Sequence, residues 1–210
     1  LYAPGAELIN SLYVLQGAPD HSNGRSSDGG TNSALFTTPT PGAPNNAMPS
    51  FPIYALPPQI SAPSTLSDEP IIVTITENNT APSEIRYTVD GSEPTETSLL
   101  YSEPLTISSS SVLKARVLKD GRAPSAIASA SYLIDVRHTT PVISVVTPQS
   151  NLYGPEGIFT NWWRDDEIQA HVDYFGTDRT LLFSQFSGMQ IDGGLGGSRG
   201  WPQHSFRLEF

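Results

Sequence analysis

The stretch from Ile85 to Ile134, IRYTVDGSEPTETSLLYSEPLTISSSSVLKARVLKDGRAPSAIASASYLI, limits what this chain can fold into more than any other part of it. Ile85, Tyr87 and Val89 alternate with Arg86, Thr88 and Asp90, the period of two expected of a strand with one buried and one wet face. Asp90-Gly91 follows directly, and Asp-Gly after an alternating apolar run is a tight-turn signal. A second strand is expected from Leu113 to Leu118, with Leu113, Ala115 and Val117 inward and Lys114 and Arg116 on the wet face. It ends at Lys119-Asp120-Gly121. A third, Ile127 to Ile134, carries Tyr132 and Ile134 on one face with small residues between. Strands at Ile71 to Ile75 and near Leu105 to Ile107 complete a small antiparallel sandwich over residues 65–135. The expected fold class is mainly β: an immunoglobulin-like antiparallel β-sandwich flanked by partial β-rich domains.

Composition agrees. Gly 17 and Pro 19 are high for 210 residues, only 15% are charged, and no segment repeats apolar residues at helical spacing over several turns. The formal net charge of -10 repels phosphate backbones, so nucleic acid is excluded as a natural partner, and anionic membrane surfaces are disfavoured. There is no Cys, hence no disulfide framework and no thiolate metal site. No apolar run is long enough to span a bilayer. LYAPGAELIN has neither Met nor a basic stretch ahead of an apolar run, and SFRLEF stops inside an apparent strand, so the chain is expected to be a fragment of a larger protein.

Four segments are expected. Residues 1–45 hold an apolar run, Leu8 to Leu15, then turn signals at Asn23-Gly24 and Asp28-Gly29-Gly30 and a short strand at Ala34-Leu35-Phe36. Gly24-Arg25, Leu35-Phe36 and Thr38 to Asn45 (TPTPGAPN) resemble the close of a lamin-tail-type immunoglobulin-like domain, without that family's usual strand Trp. Residues 46–64 are a Pro-rich linker, too apolar at Phe51, Ile53, Tyr54 and Leu56 for a free tether and expected to lie against a neighbouring sandwich.

In residues 65–135, Ile85 to Thr95 (IRYTVDGSEPT), Tyr101, Leu105-Thr106-Ile107, Lys114-Ala115-Arg116 and Lys119-Asp120-Gly121 resemble the C-terminal β-sandwich module attached to chitobiases, hexosaminidases and some fucosidases. That resemblance implies an accessory module with polysaccharide or a cell-surface protein as partner, in a bacterial extracellular or cell-surface setting. Tyr87, Tyr101 and Tyr132 are either a sugar-stacking platform, with Tyr87 and Tyr101 the candidate carbohydrate contacts, or core residues of the sandwich. Asp90 and Glu93 read as turn and surface residues.

Residues 136–210 open with a near-continuous apolar run, Val142 to Val146, expected to be covered on both faces. Ile158-Phe159 reads as a short strand. Glu167 to Phe175 alternates Ile168, Ala170, Val172 and Tyr174, Asp178 sits in a hairpin turn, and Leu181 to Met189 leads through Gln190-Ile191-Asp192 to the Gly-rich GGLGGSRG and a last strand at Ser205 to Phe210. The blocks Pro141 to Val146, Asn151-Leu152-Tyr153, Gly157-Ile158-Phe159, Ala170 to Phe175, Gly188 to Ile191, Gly193-Gly194, Ser198-Arg199 and His204 to Phe210 resemble, in order, the start of the CotH kinase family domain. That family transfers phosphate from ATP to protein, so ATP and Mg are the cofactors implied for the parent protein and none for this piece. Catalytic and metal residues are expected beyond Phe210. The residues here that match the phosphate-facing part are Gly194, Gly197, Arg199 and Arg207. The bare residues leave a second reading open, a hairpin loop and the wet face of a strand. Gln203 stands where family members carry Lys, and an amide cannot supply that charge.

Overall fold

The computed structural model describes residues 11–12, 14, 17–18, 20–46, 48–80, 82–194 and 198–210. The chain is nearly all β and contains a β-sandwich. It forms two compact units: Leu1–Pro58 with Glu77–Ile85 and Arg116–Ala126, and Gln59–Thr76 with Arg86–Ala115 and Ile127–Phe210.

In the first unit, β1 (Ser22–Arg25) pairs antiparallel with β2 (Ser33–Phe36), the strand expected at Ala34 to Phe36. The apolar run from Leu8 to Leu15 falls mostly outside the described residues. A two-stranded hairpin cannot bury its own apolar face. Leu35 and Phe36 are nonetheless sealed, and the Pro-rich stretch contributes to this. Leu35 and Phe51 exchange backbone hydrogen bonds of 2.8 and 2.9 Å. A few residues on, Ala55 N–H donates to Ala123 and Ala123 N–H to Ile53. The linker is thus tied down inside this unit, and His21 stacks on Tyr54 with rings 5.6 Å apart.

The second unit holds β3 (Gln59–Ile60), β4 (Thr65–Ser67), β5 (Ile71–Val73), β6 (Ile75–Thr76), β7 (Glu84–Thr88), β8 (Leu99–Leu100), β9 (Leu105–Ile107), β10 (Ser111–Leu118) and β11 (Ala128–Ile134), the division between units falling inside β7 and β10. One sheet runs β4-β11-β10-β7-β8, and two short pairs, β3-β6 and β5-β9, supply the other layer. On the inner face of the larger sheet, Leu113 lies opposite Ala130 and Ser111 opposite Tyr132, and Leu113, Ala115 and Tyr132 have no exposed surface. The Tyr132 hydroxyl donates to Ala62 at 2.7 Å, and burial pushes its pKa up to about 12.

Several expectations are corrected here. The strand expected over Ile71 to Ile75 is broken at Thr74, whose N–H donates to the Ser61 hydroxyl and whose carbonyl accepts from Ser61 N–H, so β5 and β6 join different partners. The sheet is not purely antiparallel, because β4 runs parallel to β11. β7 ends at Thr88 without alternating burial, and Asp90-Gly91 is not a two-residue hairpin. Residues 89–98 connect β7 to β8, and Gly91, at φ 81°, is held to β10 by N–H donation to Val112. The third strand starts at Ala128 rather than Ile127.

The same unit continues into a four-stranded sheet of β12 (Val142–Val146), β13 (Ile168–Phe175), β14 (Leu181–Asp192) and β15 (Ser205–Glu209), in that order and antiparallel throughout. A single helical turn, α1 (Gln149–Leu152), follows β12. The burial expected of β12 belongs to β13. β12 is an edge strand with Ile143 and Val145 exposed, whereas β13, between two neighbours, buries Ala170 and Val172 on one face and His171, Asp173 and Phe175 on the other. Ile158-Phe159 lies in turns, not a strand: Ile158 N–H donates to Asn151, and its side chain packs with Ala170, Met189 and Ile191.

The second face of β13 is buried because it meets the outer face of the sandwich. Ser144 donates to Ser131 at 3.1 Å, and Arg179, in the β13-β14 turn, binds Asp68 through both terminal nitrogens at 2.9 and 3.1 Å. Lys114, expected on a wet face, is therefore only 5% exposed. A Cβ on Gly91 would sit 3.5 Å from both Val112 and Val146 in a left-handed backbone conformation. Gly91→Ala is expected to lower unfolding free energy by about 1–2 kcal/mol in urea titration; an unchanged midpoint would show that the turn relaxes freely.

Candidate functional site

The seam between sandwich and C-terminal sheet gathers ionisable side chains. Register puts His171 and Asp173 on the same face of β13, with Ser144 and Ser184 as the neighbours of Asp173 on β12 and β14. His171 Nδ1 lies 3.7 Å from Asp173 Oδ2 and Nε2 lies 3.3 Å from the Ser184 hydroxyl. Asp173 is fully buried, and neither of its oxygens nor His171 Nδ1 has a hydrogen-bond partner among the described residues. Burial holds the His171 pKa below its ordinary value; the Asp173 carboxylate opposes this and the Lys114 charge reinforces it.

At one end of this seam a cleft of about 740 Å³ opens, lined by Asp90–Glu93 and Thr147–Leu152. Its walls are pinned. Asp90 Oδ1 accepts from the Ser92 N–H at 3.0 Å and from the Ser92 hydroxyl at 2.6 Å, which keeps the carboxyl ionised below its usual range. Across the cleft, Thr147 donates to the Gln169 carbonyl and Asn151 donates to Thr147, both at 2.9 Å. The lining mixes carboxylates, hydroxyls and amides with the apolar Gly91, Pro148 and Leu152.

The residues singled out from sequence fall in separate places. Tyr132 is core. Tyr87 and Tyr101 are half-buried and meet edge to face, 6.3 Å apart at 83°, so they do not form one flat platform. Tyr101 also accepts the Ile75 N–H at 3.0 Å. Gly194 is exposed with open space about it, and Gly197 lies outside the described residues. Arg199 is 8% exposed, bonded to Asp165 at 2.7 Å and to the carbonyls of Arg164 and Ile191. Arg207 is half-exposed beside Glu209 at 3.0 Å. These contacts fit a structural role better than a phosphate cradle, since both guanidinium groups already face carboxylates. His204 meets the Arg199 carbonyl, and Gln203 is exposed.

The cleft is what residue-by-residue reading missed. Asp90 and Glu93 were visible as a turn, but Thr147, Gln149 and Asn151 carry no local signal; only the docking of the two sheets brings them opposite. No group of three or more His, Asp or Glu placed to hold a metal ion occurs among the described residues, nor does a helix long and apolar enough to cross a membrane.

Fold and cleft together describe a β-sandwich carrying a second sheet on its outer face. Residues 52–129 match the family model of the chitobiase/beta-hexosaminidase C-terminal domain, which is less than half of the chain. None of the curated proteins compared with the chain matches it.

The buried imidazole gives a pH dependence whose sign is fixed. The unfolded chain protonates His171 near 6.5 while the folded chain resists, so stability is full above that pH and declines as pH falls below it. His21, lowered by burial as well, adds with the same sign. Urea midpoints measured between pH 7.5 and 5 are expected to fall in the wild type and to fall less in His171→Gln; parallel curves would remove His171 as a source.

Proposed function

We propose that the chain works as a carbohydrate-associated accessory segment of a bacterial extracellular or cell-surface protein, rather than as a catalyst in its own right. The match of residues 52–129 to the chitobiase/beta-hexosaminidase C-terminal domain carries this reading. A module of that kind holds an enzyme or a neighbouring domain at a polysaccharide. An acidic surface, net charge -10, suits neutral or cationic polymers over anionic ones. Within this reading the sandwich is of immunoglobulin-like type, residues 1–45 close a lamin-tail-type domain, and residues 136–210 begin a domain of the CotH kinase kind. The last of these rests on the ordered sequence blocks from Pro141 to Phe210.

Two measurements test it. The intact chain is expected to be retained on insoluble chitin or cellulose and to lose roughly three- to tenfold in affinity on Tyr87→Ala, the magnitude of one aromatic contact. No retention on either polymer would overturn the carbohydrate reading. Titration with MgATP is expected to give no saturable binding to this chain, because Arg199 and Arg207 are engaged with Asp165 and Glu209; micromolar binding abolished by Arg199→Ala would show those contacts to be exchangeable.

A further inference from the structure

We propose that the open edge of β14 is a docking surface for a second copy of this chain, the two β14 strands pairing antiparallel about a twofold axis. This does not depend on the carbohydrate reading. β13 runs beside nearly all of β14, with Ile168 facing Met189 at one end and Phe175 facing Leu181 at the other. On its other side β14 pairs with β15 only from Gly188 to Asp192. No strand pairs with residues 181–187 on that side among the described residues.

Burial divides β14 at the same place. Ser187, Met189, Gln190 and Ile191 are buried, whereas Leu182 to Phe186 are exposed five in a row, Leu182 at 58% and Phe186 at 48%. Successive residues of a strand point to opposite faces, so an unbroken exposed run leaves both faces open as well as the edge. Phe183 touches Tyr174 and Phe210, with ring centroids 5.5 and 5.3 Å away, and still stays exposed.

An open edge presents unpaired N–H and C=O groups to any further strand, and proteins blunt such edges with charge, Pro or a bulge. Residues 181–187, LLFSQFS, hold no charge and no Pro. Their one irregularity is at Leu182, where the register passes from Phe175–Leu181 to Tyr174–Phe183, which leaves Phe183 to Phe186 regular.

The charge and the sequence of this edge select a second copy as its occupant. With a net charge of -10, two copies repel over most approaches, and contact is least opposed where the surface is neutral. Apolar, uncharged, Pro-free segments of six or seven residues are also those that pair with copies of themselves. A twofold pairing centred on Ser184 sets Phe183 opposite the other copy's Gln185 and brings Leu182 beside the other copy's Phe186, so exposed apolar side chains meet. It stops short of Gly188, where β15 takes over the edge. Because β13 already holds the strand extended, association orders little backbone.

The test is sedimentation of the intact chain over a concentration series, with amide hydrogen exchange read at each concentration. The mass is expected to rise to that of a dimer and stop, and exchange to slow with concentration at residues 182–186 but not on β12, the opposite edge of the sheet. Gln185→Lys is expected to weaken association roughly tenfold, since it places two like charges about the axis. Gln185 is exposed, and unchanged thermal unfolding checks that the variant keeps the fold. Opposed residues of an antiparallel pair have Cα atoms about 4.5–5.5 Å apart, within disulfide reach, so Ser184→Cys is expected to cross-link the dimer on mild oxidation in a chain that has no other Cys. A chain that stays monomeric up to about 1 mM, where association contributes only about 4 kcal/mol, overturns the proposal. So does a dimer protected at β12 instead, a dimer indifferent to Gln185→Lys and not cross-linked through Ser184→Cys, or growth past the dimer into open-ended assemblies.

Discussion

The outer face of the five-stranded sheet is covered, and most of what is particular to this chain follows from that. A lone sandwich would leave Lys114 and Ser131 in water. Here Ser131 is bonded to Ser144 and Lys114 is buried, so β10 and β11 have protein on both faces. The consequence is electrostatic. A buried carboxylate and a buried amine are both costly to desolvate. Asp173 and Lys114 both act on the buried His171, the carboxylate raising its pKa and the amine lowering it. The same covering places Thr147–Leu152 opposite Asp90–Glu93, so the cleft is a by-product of how the two sheets meet rather than of either alone.

Strand positions were largely legible. Leu105 to Ile107, Val142 to Val146 and the alternation of Leu113, Ala115 and Val117 are where periodicity puts them, because each depends only on local pattern. Partner choice was not legible. The break at Thr74 depends on Ser61, and the parallel pairing of β4 depends on β11 arriving beside it; neither leaves a trace in its own neighbourhood. β12 and β13 show the limit most clearly. The near-continuous apolar run is the edge strand, while the strand that carries His171 and Asp173 is buried on both faces. Apolar content reports what burial a strand tolerates, and position in the sheet decides what it receives.

The candidate sites divide in the same way. Asp90-Gly91-Ser92-Glu93 was readable as a turn with a left-handed glycine, and Gly91 takes that conformation. Its role as one wall of a cleft required the facing segment, which lies more than fifty residues on in sequence. Arg199 stands beside glycines in sequence, and in the fold its guanidinium bonds to Asp165 and to two backbone carbonyls, partners that no local pattern announces. For Tyr132 the sequence leaves platform and core both open, and its buried ring and the hydroxyl donating to Ala62 place it in the core.

The chain contains two lysines, Lys114 and Lys119, which makes the covered face directly measurable. Amine labelling of the native protein, read out by peptide mass, should modify Lys119 readily and leave Lys114 unreacted until the protein unfolds. Equal native labelling at both positions would mean that the outer face of the sandwich is open to solvent, and the seam, its buried charges and the cleft at its end would go with it.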